Sequence, residues 1–129
     1  MPKDEMYIRQ AMAAGLLIFS LSPAAAYSEE MTLDYSWIGT KLCMSAAVSP
    51  PFAIGNAPLG TRTLKFVLTG SEGALLGGAV VPYPVSGQIP KGTVSFQSPC
   101  ISGMYTWTVE ARDEAGKVLS SAALTRPFY

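Results

Sequence analysis

Apolar and polar side chains alternate most regularly over residues 104–112, MYTWTVEAR. Alternation with a period of two, carried by aromatic and β-branched residues, is typical of a half-buried β-strand. The turn-forming segment DEAGK follows at 113–117, and VLSSAAL at 118–124 predicts a returning strand. Residues 104–124 are therefore predicted to form a β-hairpin, and the inward face of its first strand consists of Tyr105, Trp107, Val109 and Ala111.

A second alternating run lies at 63–68, TLKFVL, and its predicted inward face consists of Leu64, Phe66 and Leu68. Weaker strand patterns cover 33–39 and 93–96. The pattern between these elements is looser, since proline and glycine interrupt residues 69–92. Within that stretch, AVVPYPV at 79–85 is predicted to be an edge strand or an extended loop, because its prolines cannot donate to a ladder.

Helical spacing of apolar residues is nearly absent after residue 30, and prolines and glycines occur in short clusters between the predicted strands. Many short strands with turn signals between them are typical of an all-β fold. We therefore expect one domain, a small antiparallel β-sandwich.

The N-terminal residues carry a different pattern. AMAAGLLIFSL at 11–21 is a short apolar run, and small residues follow at Ala24 and Ala26. This arrangement predicts a secretory signal peptide over 1–26, because the run is too short to span a membrane. Cleavage would leave a periplasmic or secreted domain, 27–129, without a transmembrane segment. The acidic residues near Met1 fit a leader poorly, and Met6 is an alternative start.

Charge and cysteine content narrow the functional classes. The 129 residues carry 9 basic and 9 acidic side chains with no like-charge run, so a nucleic-acid partner is not expected. In an oxidising compartment the two cysteines are predicted to form a Cys43–Cys100 disulfide, and two reduced core thiols are the alternative. Two cysteines without histidine make a poor zinc site, and we expect no metal.

The sequence contains no histidine, which removes Ser-His-Asp and Cys-His catalysis. The glycine-rich stretch GSEGALLGG lacks the Gly-Lys-Ser/Thr ending of a phosphate-binding loop. We expect no cofactor and no enzymatic activity. A minimal hydrolase that works through Glu72 or Asp113 is the catalytic alternative, although solvated surface carboxylates explain both residues.

Two groups of motifs resemble the phosphatidylethanolamine-binding protein family, which includes the bacterial Raf-kinase-inhibitor-like proteins. The first is Cys43 followed by SPPF at 49–52 and by APLGT at 57–61. The second is SPC at 98–100 followed by YTWTV at 105–109 and by Ala111 and Asp113. Their order and spacing touch most of the chain after residue 26.

The resemblance implies a β-sandwich with both cysteines on loops that flank a ligand pocket. Family members carry D-P-D-x-P after the first core strand, where this sequence has TGSE at 69–72, and a His-Trp that is missing here. These residues line the family's anion pocket, so binding of a phosphate-type head group does not carry over. Counterparts of the pocket neighbourhood remain at Ser49, Pro50 and Pro99, which shape loops in the family.

We therefore expect a non-catalytic binding protein that takes a small molecule or a protein partner at the loop end of the sandwich. The predicted ligand-binding residues are Ser49, Tyr83 and Pro99, with Tyr83 held extended between two prolines. The alternative is an immunoglobulin-like interaction module whose exposed edge, Pro82–Val85, adds a strand to a partner. The ligand and the oligomeric state stay open.

Overall fold

A computed structural model describes residues 30–129. The predicted signal peptide, 1–26, lies outside these residues. Seven strands follow one another in the described part: β1 (Thr32–Tyr35), β2 (Phe52–Gly55), β3 (Thr63–Thr69), β4 (Leu75–Pro82), β5 (Gln88–Ile89), β6 (Gly103–Arg112) and β7 (Val118–Phe128). Over the same residues, no helix is long and apolar enough to cross a bilayer.

The strands form two antiparallel sheets. The smaller sheet has the order β1-β2-β5, and the larger sheet has the order β4-β3-β6-β7, with β4 and β7 at its edges. The predicted hairpin is confirmed, because Tyr105 pairs with Arg126 and Ala111 with Ser120 along β6 and β7. The fold is thus the predicted all-β sandwich in a single small domain.

The core lies between the two sheets and consists largely of the alternating positions. Leu64, Phe66 and Leu68 of β3 are fully buried, as are Trp107 and Val109 of β6. The smaller sheet contributes Tyr35 and Phe52, and Phe52 meets Trp107 edge to face with the ring centroids 5.0 Å apart. Trp37 stacks flat on Phe128 with a centroid distance of 4.0 Å. Period-two alternation therefore identified the inward faces of β3 and β6 correctly.

Strand β4 differs most from the expectation for its region. Residues 79–82 belong to an edge strand, which is one of the two forms predicted for 79–85, but the strand begins earlier, at Leu75, and ends at Pro82. Gly77 and Gly78 interrupt the apolar pattern because the backbone of other segments approaches them closely. A Cβ atom on Gly77 would lie 2.7 Å from the Phe96 Cα, and one on Gly78 would lie 2.0 Å from the Phe66 carbonyl oxygen.

Three smaller differences concern short strands. Strand β2 follows Pro51 without any alternation that would have predicted it. The predicted strand at 33–39 is confined to β1, since the chain turns after Tyr35. The predicted strand at 93–96 is reduced to an isolated bridge between Phe96 and Gly77.

Two long loops meet at one end of the sandwich, and we call them loop A (residues 36–51) and loop B (residues 90–102). The predicted Cys43–Cys100 disulfide joins them. The Cys43 N–H also donates to the Pro99 carbonyl at 2.8 Å, and the Met44 N–H donates to the Ser98 hydroxyl at 3.1 Å. These contacts fix the two loops against each other.

Candidate functional site

An open cavity of about 420 Å³ lies beside loop B, next to the turn that joins β3 to β4, and we call it the loop B cavity. The turn contributes one wall, loop B the other, and β4 and β6 the floor. The lining residues are Gly70, Ser71, Glu72, Ala74, Leu76, Pro99, Cys100, Ile101 and Tyr105. The cavity therefore lies between TGSE at 69–72 and SPC at 98–100, two of the stretches that were compared with the family's motifs.

The floor of the cavity is held in place by side-chain and main-chain contacts. The buried Tyr105 donates its hydroxyl hydrogen to the Ile101 carbonyl, which ties β6 to loop B. A Cβ atom on Gly70 would lie 3.6 Å from the Tyr105 ring, so the turn passes directly over that ring. The turn itself is closed by the Gly70 N–H, which donates to the Ala74 carbonyl at 2.9 Å.

The cavity has an apolar floor and a polar rim. Leu76 is half-buried, the Tyr105 ring is buried, and Ile101 projects at the mouth with 76% of its surface exposed. Ser71 and Glu72 are exposed on the opposite side of the mouth. Of the described residues that line the cavity, Glu72 carries the single charge, and none is a lysine or an arginine.

This charge distribution sets the chemistry of a possible ligand. An anionic head group would meet a carboxylate without a cationic partner, which is unfavourable. Neutral and cationic groups meet no such repulsion, and an apolar tail would contact Leu76, Ile101 and Tyr105. Within the described residues, no cluster of acidic or cysteine side chains is arranged to hold a metal ion.

Pro99 lies in the wall of the cavity, as its predicted role requires. Ser49 belongs to the same end of the sandwich but is fully buried. Its hydroxyl oxygen accepts a hydrogen bond from the Val94 N–H at 3.1 Å, and its carbonyl accepts one from the Gly92 N–H at 2.9 Å. Ser49 therefore connects loop A to loop B through these two hydrogen bonds.

Tyr83 lies at the other end of the larger sheet. It follows Pro82, which pairs with Thr63, and its N–H donates to the Arg62 carbonyl at 2.9 Å. The cavity instead adjoins the Thr69 end of β3, so the full length of the strand separates Tyr83 from Pro99. Tyr83 packs partly against the core. The predicted grouping of Ser49, Tyr83 and Pro99 at one loop end is therefore wrong for Tyr83.

The two carboxylates considered for hydrolysis also lie at opposite ends. Glu72 is at the cavity rim, whereas Asp113 follows Arg112, which pairs with Thr63. The Asp113 carboxylate accepts hydrogen bonds from the Ala115 and Lys117 N–H groups, at 2.9 and 2.8 Å, and so closes the β6–β7 turn. These residues cannot act as a carboxylate pair.

A second open cavity, of about 440 Å³, lies on the smaller sheet beside Arg126. Its charges are already paired, because the Arg126 guanidinium lies 3.1 Å from the Asp34 carboxylate. The Tyr35 ring lies 6.0 Å beneath the guanidinium. This cavity offers no unpaired charge to a ligand, so the loop B cavity is the better candidate.

Sequence reasoning missed Gly70, Ser71, Leu76 and Ile101 as lining residues. One signal pointed to part of the set, namely the replacement of the D-P-D-x-P motif by TGSE at 69–72. Leu76 gave no such signal, since it lies in a strand that the sequence pattern did not reveal.

Comparisons with known proteins support the fold. No protein-family model matches the chain, and no curated protein matches it. A crystal structure described as a phosphatidylethanolamine-binding protein homologue from Chlamydia trachomatis matches with a TM-score of 0.59 and 14% identity. The match covers 78% of this chain and 97% of that chain. The fold is therefore that of the phosphatidylethanolamine-binding proteins, as the sequence motifs implied.

Proposed function

We propose that this protein is an exported, non-catalytic binding protein that takes a small, largely apolar ligand in the loop B cavity. The ligand carries a neutral or cationic polar group near Glu72 and Ser71. The observation that carries the proposal is the lining of the cavity, which combines an apolar floor with one carboxylate and no cationic side chain.

Three further features support binding at this place. Ligand sites are typically concave, with an apolar lining and a few polar groups that set orientation. The disulfide and the Tyr105 hydrogen bond hold the loop B wall, and the Gly70–Ala74 hydrogen bond closes the turn that forms the other wall, so little conformational entropy is lost when a ligand enters. The fold matches that of a phosphatidylethanolamine-binding protein homologue, so a binding role agrees with this match by analogy of fold.

The first experiment uses three probes with one tail and different head groups: hexanol, hexylammonium and hexyl phosphate. Each is titrated into the isotope-labelled product of the full coding sequence, and amide chemical shifts are followed by NMR. We expect shifts at Gly70, Ser71, Leu76 and Ile101, with hexylammonium binding at least as tightly as hexanol. Tightest binding of hexyl phosphate, or shifts confined to other regions, would overturn the proposal.

Two pairs of variants test the mouth of the cavity and the Glu72 carboxylate separately. Ala74→Trp places a large side chain at the mouth and should weaken all three probes about tenfold or more. Ala115→Trp, at an exposed turn position at the far end of the sheet, is its control. Glu72→Gln should weaken hexylammonium alone, by about two- to fivefold, because an exposed ion pair contributes under about 1 kcal/mol. Glu114→Gln is the matched control.

Export is tested separately by the mass of the purified protein. A chain that begins at Tyr27 and lacks two hydrogens relative to the reduced form would agree with cleavage after Ala26 and with disulfide formation. A product that keeps its first residues after expression in a host with a secretion pathway would contradict the proposed export.

A further inference from the structure

The hydrogen bonds of the larger sheet determine which way the main-chain groups of its edge strands point. The Tyr83 N–H donates to the Arg62 carbonyl, in register with the pairing of Leu64 and Val81. Along an antiparallel strand, successive residues direct their N–H and C=O groups alternately to the two sides. Leu64 and Phe66 of β3 therefore bond to β4, whereas Lys65 and Val67 bond to β6.

The same alternation continues across β6 to β7. Lys65 pairs with Glu110, so the odd-numbered residues of β6 bond to β7, and Trp107 and Leu124 form a hydrogen-bonded pair. The Tyr35 hydroxyl provides an independent check. It lies 3.3 Å from the Tyr105 carbonyl and 2.9 Å from the Leu124 carbonyl, which places both carbonyls in the gap between β6 and β7.

Ser121, Ala123 and Thr125 of β7 consequently direct their N–H and C=O groups away from the sheet. Within residues 30–129 these groups have no main-chain partner, since β7 pairs with β6 alone. The register shift near Arg112 ends the regular pairing on one side, and Pro127 ends the row of donors on the other. We call Ser121–Thr125 the open edge. Its side chains are small or apolar, and none is charged.

We propose that the open edge pairs with the open edge of a second copy of this chain, antiparallel and about a two-fold axis at Ala123. Ser121 of each copy then lies opposite Thr125 of the other, and each of these residues exchanges both main-chain hydrogen bonds with its partner. The two larger sheets join into one continuous sheet. A strand that pairs with itself in this way closes the assembly at two chains.

The side chains of the open edge favour a second copy as the occupant. Ala123 meets Ala123 at the axis, so no large group and no like charge faces its own copy. On the inner face, Leu124 comes opposite Ala122, and both are only half-buried in the single chain. The nearest cation, Arg126, is already paired with Asp34. Self-pairing therefore buries apolar surface without burying a charge.

Association is measured first by sedimentation equilibrium on the product of the full coding sequence, between about 10 µM and about 1 mM, because a small interface binds weakly. The expected result is a monomer–dimer equilibrium with no larger species. Hydrogen exchange by NMR should show that the amides of Ser121, Ala123 and Thr125 become protected as the dimer forms. Neither readout depends on ligand binding in the loop B cavity.

Charged substitutions at Ala123 then test the proposed two-fold axis. Ala123→Lys and Ala123→Asp each place two like charges opposite each other and should weaken self-association about tenfold or more. An equimolar mixture of the two variants should dimerise again, because Lys then faces Asp. Val80→Lys is the matched control. It adds the same charge at an exposed position of the other edge strand and should leave the dimer unchanged.

Several outcomes would overturn the proposal. A wild-type protein that stays monomeric over the whole range would do so, and protection of the same amides in that monomer would assign the edge to another part of the same chain. Dimers that persist in both Ala123 variants would place the interface elsewhere. Oligomers that grow without limit would exclude a closed two-fold pair.

Discussion

The two edge strands of the larger sheet present the same physical problem, but within residues 30–129 only β4 is protected. An edge strand leaves a row of N–H and C=O groups that can pair with another chain. In β4 these groups are covered at one end, where the Gln97 N–H donates to the Leu76 carbonyl at 2.6 Å. At the other end Pro82 has no N–H to offer, at a position that faces away from β3. Among residues 30–129, nothing gives the open edge of β7 either kind of protection.

This difference revises the alternative function. The Pro82–Val85 segment was predicted to accept a partner's strand, but two of its four residues are prolines. Pro82 lies at an outward-facing position of β4 and has no N–H to donate there, and Pro84 has none either. Within the part of the chain that the structure describes, the unprotected edge is instead that of β7, where no proline interrupts Ser121–Thr125. Strand addition is therefore easier at β7 than at β4.

The hydrogen bond from Gln97 that covers one end of β4 comes from loop B, and the Cys43–Cys100 disulfide anchors this loop. Replacing both cysteines, by Cys43→Ser and Cys100→Ser, should lower the free energy of unfolding by about 3–4 kcal/mol, because the bridge closes a long loop in the unfolded chain. Urea denaturation measures the loss. Hydrogen exchange of the Gln97 amide, followed by NMR, should accelerate strongly in this variant. Hydrogen exchange of the amides of Ser121, Ala123 and Thr125 should not change. Equal acceleration at both edges would show that the two edges do not differ in how they are covered.

Close backbone contact at Gly77 is the second support of β4. Gly77→Val should cost about 2–3 kcal/mol, because its Cβ would lie 2.7 Å from the Phe96 Cα and its φ of 130° disfavours side chains. Loop B would move away and leave the outer side of β4 unpaired. The control is Gly116→Asn, in a turn where nothing lies within 4 Å of the added Cβ. If both variants lose the same stability, the contact with Phe96 is not the cause.

Strand β7 is held from the inner face by Tyr35. Desolvation by burial raises the pKa of Tyr35 from 10.0 to about 12. The folded protein thus holds this proton more tightly than the unfolded chain does. The protonated Tyr35 hydroxyl therefore stabilises the folded protein. This stabilisation is fully present below pH 10, and the free energy of unfolding falls by about 2 kcal/mol as the pH rises towards 12.

The measurement is the free energy of unfolding at several pH values between 9 and about 12, for the wild type and for Tyr35→Phe. The variant lacks the hydroxyl and should show a smaller decline over that range. The difference between the two curves isolates Tyr35 from the other titrating groups. Parallel curves would mean that ionisation of Tyr35 does not loosen β7.

The smallest expected effect on stability comes from Pro82→Ala. The change restores one outward N–H on β4 without removing a hydrogen bond, so the free energy of unfolding should change by no more than about 0.5 kcal/mol. Light scattering at high concentration should nevertheless show more association than in the wild type. Adding Val80→Lys should suppress it again. Unchanged association in Pro82→Ala would show that the proline does not protect the edge.

The candidate site was predictable only in part. The Cys43–Cys100 disulfide followed from the presence of two cysteines in a chain expected to reach an oxidising compartment, and the place of Pro99 at the loop end followed from the motif at 98–100. Ser49 lies at the predicted end of the sandwich, but its side chain is buried. Its hydroxyl oxygen accepts a hydrogen bond from the Val94 N–H. Tyr83 was misplaced because the length of β4 was not visible in the sequence. A strand with two glycines in its middle has no regular alternation to detect.

The sequence by itself determined the properties that depend on near neighbours. Alternation assigned the inward faces of β3 and β6, turn residues placed the β6–β7 hairpin, and the absence of histidine removed the common catalytic sets. The tertiary structure decided which distant segments meet. Gly77 touches Phe96, Cys43 joins Cys100 across 57 residues, and β7 becomes an edge strand that no other described segment covers. Such contacts depend on how the sheets close around the core, and local residue patterns carry no record of that closure.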